Sequence, residues 1–414
     1  EYNEQKRGFV MKNRKFWQGF LTGGLSVLLC MLLVCAGLTV TGKIDIRNMI
    51  MKVSSGSILN KKLDSKMTEL QAYIDQFFLD DIDREKVQDS ICKGMVDGLG
   101  DVYAAYYNEE EYKDMKEKTS GNYCGIGAYV SQSATDGAIT IVQPIKDSPA
   151  EKVGLKSGDI ISEVNGKSVE GMDLTAVVSK MKGKAGTKVE LTVLRDNHQK
   201  KFTITREEIH SQTVAYKMLD GKIGYIEVSS FEEVTKQQFR DALDDLEKQG
   251  EKSLVIDLRN NGGGLLSTAV DMLDRLLPEG IVVYTKDKDG KKEVYRSTDK
   301  ESFDKPIAIL VNENSASASE VFSGAMQDYN KAVLVGTTTF GKGIVQTVFD
   351  LSDGTAIKLT TAKYYTPKGR NIHGTGLEPD ITEALDDQTH RQKKSGVLID
   401  NQMQRAIDYL KNGK

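Results

Sequence analysis

Ile307-Ala308-Ile309-Leu310-Val311-Asn312-Glu313-Asn314-Ser315-Ala316-Ser317-Ala318-Ser319-Glu320-Val321-Phe322 is the stretch from which the fold can be read. Its first five residues form a short, uninterrupted apolar run, the pattern of a strand buried on both faces of a parallel sheet. Ser317-Ala318-Ser319-Glu320 then fits a capping box, serine at N-cap and glutamate at N3. Behind it Val321, Phe322, Ala325 and Met326 give a helix its apolar stripe. Strand, polar turn and helix recur on either side. Ile223–Val228, Leu254–Leu258 and Ala332–Val335 read as strands, and Phe239, Ala242, Leu243 and Leu246 as one stripe of a helix. Residues 209–385 therefore form an α/β core with layered strands and helices.

Each apolar run leads into a segment suited to chemistry. Leu258 leads to Arg259-Asn260-Asn261-Gly262-Gly263-Gly264. Three glycines after a buried strand let N–H groups point at a ligand without Cβ interference, as half of an oxyanion hole or simply as a flexible turn. Val335 leads through Gly336 and three threonines to Phe340-Gly341-Lys342-Gly343-Ile344-Val345-Gln346. A serine becomes a nucleophile only when a base takes its proton, and a buried lysine can be that base. To act near neutral pH its pKa must fall by about 3 units, roughly 4 kcal/mol drawn from folding. Gln346 could hold the amine in orientation. None of the four histidines sits in a comparable context. Ser317, at a helix start, lies beside free N–H groups and the positive dipole end, which favour an oxyanion.

With Ser317, Lys342, Gln346 and the Gly262–Gly264 loop in these contexts, the chain resembles the carboxyl-terminal processing proteases (tail-specific proteases, peptidase family S41) over roughly residues 60 to 385. Asp101-Val102-Tyr103, the segment Gly121 to Ile126, Tyr365–Arg370 and Gly376–Asp380 fit as well, with Val102 where the family often has proline. The resemblance implies a crotonase/ClpP-like ββα protease core. It implies Ser317 as nucleophile, Lys342 as general base, Gln346 as its orienting partner, and an oxyanion hole from the N–H groups of Ala318 and Gly263, with Gly262 a near alternative. Such chemistry needs no metal and no organic cofactor.

Residues 121–208 change period. Val130, Ile139, Ile141, Val142, Val189–Leu194 and Phe202–Thr205 read as strands, Ser148–Leu155 as a short capped helix, Asn165-Gly166 as a tight turn and Leu174 to Met181 as a helix ended by Gly183. This region looks like an inserted PDZ domain. Gly125-Ile126-Gly127-Ala128 resembles its carboxylate-binding loop, which grips a free C-terminus while the peptide adds as a strand, its apolar last residue beside Ile126. The bland reading of the same loop is a glycine-rich hairpin.

Phe20 to Val40 is uncharged and apolar; as a helix it spans roughly 31 Å, about the hydrocarbon thickness of a bilayer. Lys6, Arg7, Lys12, Arg14 and Lys15 precede it more densely than Lys43, Arg47 and Lys52 follow, and Phe16 and Trp17 mark one interface. The expectation is a single-pass cell-membrane anchor with residues 1–19 cytoplasmic and the catalytic part outside; a cleaved signal peptide or a buried core helix are the alternatives. Residues 43–118 read as helical, and 386–414 as a polar tail with one amphipathic segment from Val397 to Leu410; both offer surfaces for a homodimer. Outside the apolar run only Cys92 and Cys124 remain, either one disulfide or two small buried side chains. A net charge of −4 gives no footing for nucleic acid.

The reading is a membrane-anchored serine endopeptidase acting on extracytoplasmic proteins with apolar C-termini. The rivals are a catalytically silent PDZ adaptor, against which stand the intact nucleophile and base, and an acyl-thioester enzyme, for which the chain offers no nucleotide-binding segment.

Overall fold

The computed structural model describes residues 57–298, 303–386, 392–394 and 397–412. The expected anchor Phe20–Val40 lies outside them; among the described residues no helix is long and apolar enough to cross a membrane. The chain divides into two units at Asp83. In the first, helix α1 (Lys61–Phe77) begins at Asn60, whose side chain accepts the N–H groups of Lys62 (3.0 Å) and Leu63 (3.1 Å). Those are two of the donors that a helix start leaves without partners.

The second unit opens with α2 (Arg84–Asp97), β1 (Ala105–Tyr107) and α3 (Glu109–Ser120). The strand departs from the all-helical expectation for 43–118. Ala105, Tyr106 and Tyr107 pair antiparallel with Lys358, Ile357 and Ala356, a partner too distant in sequence for local pattern to reveal. Helix α3 carries a capping box between Asn108 and Glu111, and its acidic first turn suits the dipole.

Next come β2 (Asn122–Gly125), β3 (Ala128–Gln132), β4 (Ile139–Pro144), α4 (Pro149–Lys152), β5 (Ile160–Val164), β6 (Lys167–Ser168), α5 (Leu174–Met181), β7 (Lys188–Arg195), β8 (His198–Thr205) and β9 (Glu207–His210). The sheet order is β3-β4-β5-β7-β8, with β6 on β5. Asn165 and Gly166, both at positive φ (51° and 71°), close the β5–β6 hairpin as expected. Ile126, Ile141, Val177, Leu191, Val193 and Ile204 are buried together. Strands β2 and β9 pair from Asn122↔His210 to Gly125↔Glu207, so the module enters and leaves its host at one ribbon. Cys92 and Cys124 are free thiols.

The core continues with β10 (Val214–Leu219), β11 (Ile223–Val228), α6 (Thr235–Lys248), β12 (Ser253–Asp257), α7 (Leu266–Asp274), β13 (Gly280–Asp287), β14 (Lys292–Ser297), β15 (Ile307–Val311), α8 (Ala318–Asp328), β16 (Ala332–Gly336), β17 (Ile344–Asp350), β18 (Ala356–Tyr365), β19 (Ile381–Thr382), β20 (Gln392–Lys394), β21 (Val397–Ile399) and α9 (Asn401–Asn412). One sheet runs β10-β11-β12-β15-β16-β19, parallel from β11 onward. Ile256, Ile309 and Val311 face a layer containing Phe239, Met272 and Phe322. Val255, Ala308 and Leu310 face Met403 and Ala406 of α9. Being covered on both sides is why these strands read as unbroken apolar runs. A second sheet, β1-β18-β13-β14 with β17 on β18, stands beside it.

Candidate active site

The three segments singled out from the sequence follow β12, β15 and β16, which are consecutive neighbours in the parallel sheet. They therefore meet beyond its carboxyl edge, where ligands bind in open α/β sheets.

Three serines compete for the role of nucleophile, and their neighbours separate them. The Ser315 hydroxyl donates to Leu258 O (2.8 Å) and that of Ser319 to Asn261 O (2.8 Å); both are fully buried. They tie the turn before α8 and the first turn of α8 itself to the loop after β12. Ser317 between them lines a cavity of about 260 Å³. Its backbone lies at φ 56°, ψ −113°, a conformation that L-residues avoid. Such strain persists only where surroundings hold it and is typical of a nucleophile set on a sharp strand-to-helix turn.

Glu320 is the main holder. Fully buried, it accepts the Ser317 N–H (2.9 Å) and Lys342 N–H (2.9 Å) on Oε2, and the Gly341 N–H (2.8 Å) and Thr339 hydroxyl (2.6 Å) on Oε1. The glutamate half of the expected capping box is thus present, and its carboxylate also anchors the lysine loop. Tyr364 acts beside it: its hydroxyl bridges the main-chain carbonyls of Ser317 (3.2 Å) and Lys342. Burial, and then Glu320, push the Tyr364 phenol well above its ordinary pKa, so it remains a donor. Sequence reasoning gave Glu320 only a capping role and missed Tyr364, which belongs to a strand (β18) whose pattern it did not pick out.

Lys342 lines the same cavity as Ser317, Ala318 and Gln346. The glycines beside it serve close approach: a Cβ on Gly343 would lie 2.5 Å from His373 N, and one on Gly341 2.9 Å from Gly376 N. Burial first, then the Lys358 charge, lower the Lys342 pKa, against Asp101 and Glu320. Its Nζ stands 4.4 Å from the Tyr103 ring centroid. Among the described residues no hydrogen bond joins Lys342 Nζ to Ser317 Oγ or to Gln346, whose amide donates instead to Thr360 Oγ1 (3.2 Å). The β17–β18 register shifts between Val345 and Gln346. Such a bulge re-aims side chains, and Ile344, Val345 and Gln346 all reach the cavity.

Gly263 passes against the Ser317 turn at φ 100°; a Cβ there would lie 2.6 Å from Ala316 O and 2.9 Å from Ala318 N. Its own N–H is donated to Asn261 Oδ1 (2.8 Å). Gly262 and Gly264, not Gly263, line the cavity. Leu265, Leu266, Val321 and Ile344 give it an apolar flank. A larger hollow of about 850 Å³ adjoins the same sheet edge but contains neither Ser317 nor Lys342. Its Arg259 is already paired with Asp257 (2.6 Å) and Asp400 (2.7 Å), which ties the loop after β12 to the segment before α9.

In the inserted module, Gly127 turns at φ 75° under Ser148, whose hydroxyl donates to Gly127 O (2.8 Å). Ile126 is buried. Strand β3 follows as an edge strand, paired among the described residues with β4 alone.

The model for peptidase family S41 matches residues 222–383, and that for the PDZ domain residues 140–195. A probable CtpA-like serine protease of Staphylococcus aureus (strain COL) is 40% identical over 388 residues, covering 92% of this chain and 75% of that protein. A protein of the same description from Staphylococcus saprophyticus is 38% identical over 357 residues, covering 86% and 72%. Among solved structures, the photosystem II D1 C-terminal processing protease superposes with a TM-score of 0.46 at 30% identity, covering 77% of this chain and 86% of that one. A likeness that runs through most of both sequences, over a core in which Ser317 and Lys342 share one cavity, makes this chain a member of peptidase family S41, a serine protease that carries a PDZ domain.

Proposed function

We propose that this protease is an endopeptidase working through a Ser317–Lys342 dyad. Lys342 takes the hydroxyl proton, Ser317 Oγ attacks the peptide carbonyl, and Lys342 then gives the proton to the leaving amine; water hydrolyses the acyl-enzyme in the reverse sense. The observation that carries the reading is the common cavity: a serine on a strained turn faces the same space as a lysine whose pKa burial has lowered. Gln346 orients the amine. For the oxyanion, the Ala318 N–H at the start of α8 is one donor. The family resemblance makes Gly263 the second, which requires its N–H to leave Asn261; Gly262, already at the cavity, is the alternative.

Substrate tails enter through the PDZ domain. An apolar C-terminus adds to the open edge of β3, its carboxylate on the N–H groups of the Gly125-Ile126-Gly127-Ala128 loop. In support, β3 has a free edge, and neither the Ile126 nor the Gly127 N–H has an acceptor among the described residues. Phe20–Val40 anchors the enzyme in the membrane with its catalytic part outside the cytoplasm.

The test uses the full chain and a loosely folded protein ending in apolar residues. Ser317→Ala and Lys342→Ala should each abolish cleavage while leaving tail binding intact. Equal cleavage by wild type and Ser317→Ala would remove the nucleophile and leave a PDZ adaptor. Replacing the substrate's last residues with Asp-Asp should slow the reaction, and indifference would remove the capture step.

A further inference from the structure

The turn between α2 and β1 meets Lys342, a residue of the candidate cavity, through one aromatic ring. Asp101 starts this turn: Oδ1 accepts the Tyr103 N–H (2.9 Å), and the main-chain oxygen accepts that of Ala104 (3.1 Å). The Thr360 hydroxyl, and next the Tyr103 N–H, hold the Asp101 carboxyl below its usual range. Thr360 also receives the Gln346 amide. One β18 side chain therefore connects the residue that seats Tyr103 with the residue taken to orient the base. Tyr103 itself is half-buried, with the Lys342 ammonium over its face.

We propose that Tyr103 is a positioning residue for the general base, its ring holding the protonated Lys342 side chain away from Ser317 so that the amine must leave the ring to take the hydroxyl proton. A π-face attracts the ammonium and not the neutral amine. Tyr103 thus opposes the burial that lowers the Lys342 pKa, and sets the pH at which the base is ready. The titratable and charged groups facing Lys342 are Asp101 and Tyr103 on the turn, Glu320 on α8, and Lys358 and Tyr364 on β18. None of them replaces the ring, because the carboxylates act through charge and Tyr364 binds the main-chain carbonyls of Ser317 and Lys342, not the ammonium.

This inference rests on Lys342 being the base, so the experiment includes Lys342→Ala. The pH dependence of kcat/KM is measured for wild type, Tyr103→Leu, Tyr103→Phe and Lys342→Ala on one peptide substrate. Leucine keeps the site apolar but has no π-face. The acid limb should move down by about half to one pH unit, giving roughly three- to tenfold more activity on the limb. Phenylalanine should restore the wild-type limb. An unmoved limb in Tyr103→Leu, or an equal shift in both variants, overturns the role of the ring while Lys342→Ala stays inactive. An active Lys342→Ala overturns the dyad reading and this inference with it. Should Tyr103→Leu not fold, the pH dependence of Ser317 labelling by an organophosphonate in Tyr103→Phe and Tyr103→Trp decides. The stronger π-face of tryptophan should move the limb up; a limb alike in both removes the proposal.

Discussion

The N–H of Ser317 and the N–H of Lys342 end on one oxygen, Oε2 of Glu320, each at 2.9 Å. Two loops that follow different strands are thereby fixed to each other through a single buried carboxylate, and with them the two side chains proposed as nucleophile and base.

Glu320→Gln tests that arrangement. The amide nitrogen cannot accept, so at least one pair of the four donors now bound by Glu320 loses its partner inside the protein. The expected cost is about 2–4 kcal/mol of stability, read as a lower urea midpoint. The kcat should fall more than tenfold with little change in KM, because geometry at the reacting atoms is lost and binding of the chain is not. A variant with wild-type kcat would mean that the loops are held by other contacts.

Tyr364 gives an alkaline signature. A phenol whose folded pKa is raised stabilises the protein fully below its unfolded pKa, and that stability is lost as pH rises through the folded value. Tyr123 behaves likewise, pushed up to about 12 chiefly by burial, and Tyr225 is raised by burial and by Asp257. The urea midpoint should therefore fall steadily above about pH 10. Tyr364→Phe should lessen that slope while costing about 1 kcal/mol at neutral pH for the lost hydrogen bond. An unchanged slope in Tyr364→Phe would place the titration elsewhere.

Lys358 is predicted to help prepare Lys342 for its proposed role as base. Its positive charge is the second cause of the lowered Lys342 pKa, after burial. A lowered lysine pKa puts the acid limb of kcat/KM below the ordinary lysine range, since activity rises with pH as the amine loses its proton. Removing the neighbouring charge with Lys358→Met should move the limb upward by about half a unit, or some threefold less activity on the limb. A limb that stays in place, or moves downward, would show that the two amines do not interact.

Strands buried on both faces announce themselves, so Ile307–Val311 and Ile223–Val228 were legible to the residue, as was the fact that Gly262–Gly264, Ser317 and Lys342 each follow such a run; that those runs are neighbours in one sheet is a finding of the structure. Strands β13, β14, β17 and β18 were not legible. They are half-exposed, they mix lysine, threonine and tyrosine, and their identity depends on pairing with one another. With them went Tyr364 and Thr360; Tyr103 was singled out only as part of the segment Asp101–Tyr103, and its place over Lys342 depends on β1 pairing with β18, which the sequence did not show. The donor set for the oxyanion was also beyond sequence: whether Gly262 or Gly263 offers its N–H depends on a bond from Gly263 to Asn261 Oδ1 that three consecutive glycines do not disclose.

The PDZ loop can be tested apart from the chemistry. At Gly127 the backbone has φ 75°, and an added Cβ would lie 2.4 Å from Ser148 Cβ. Gly127→Ala must therefore either push the loop away from Ser148 or change its turn, and in both cases the N–H groups of Ile126 and Gly127 lose their common aim. If they grip a substrate carboxylate, KM for a protein with an apolar tail should rise about tenfold, worth roughly 1.4 kcal/mol of binding. The kcat on a short peptide lacking such a tail should stay at the wild-type value, because Ser317 and Lys342 are held by Glu320 and Tyr364, which do not touch this loop. Equal losses on both substrates would trace the effect to folding of the module, and no loss on either would leave Gly125–Ala128 as a hairpin without a ligand.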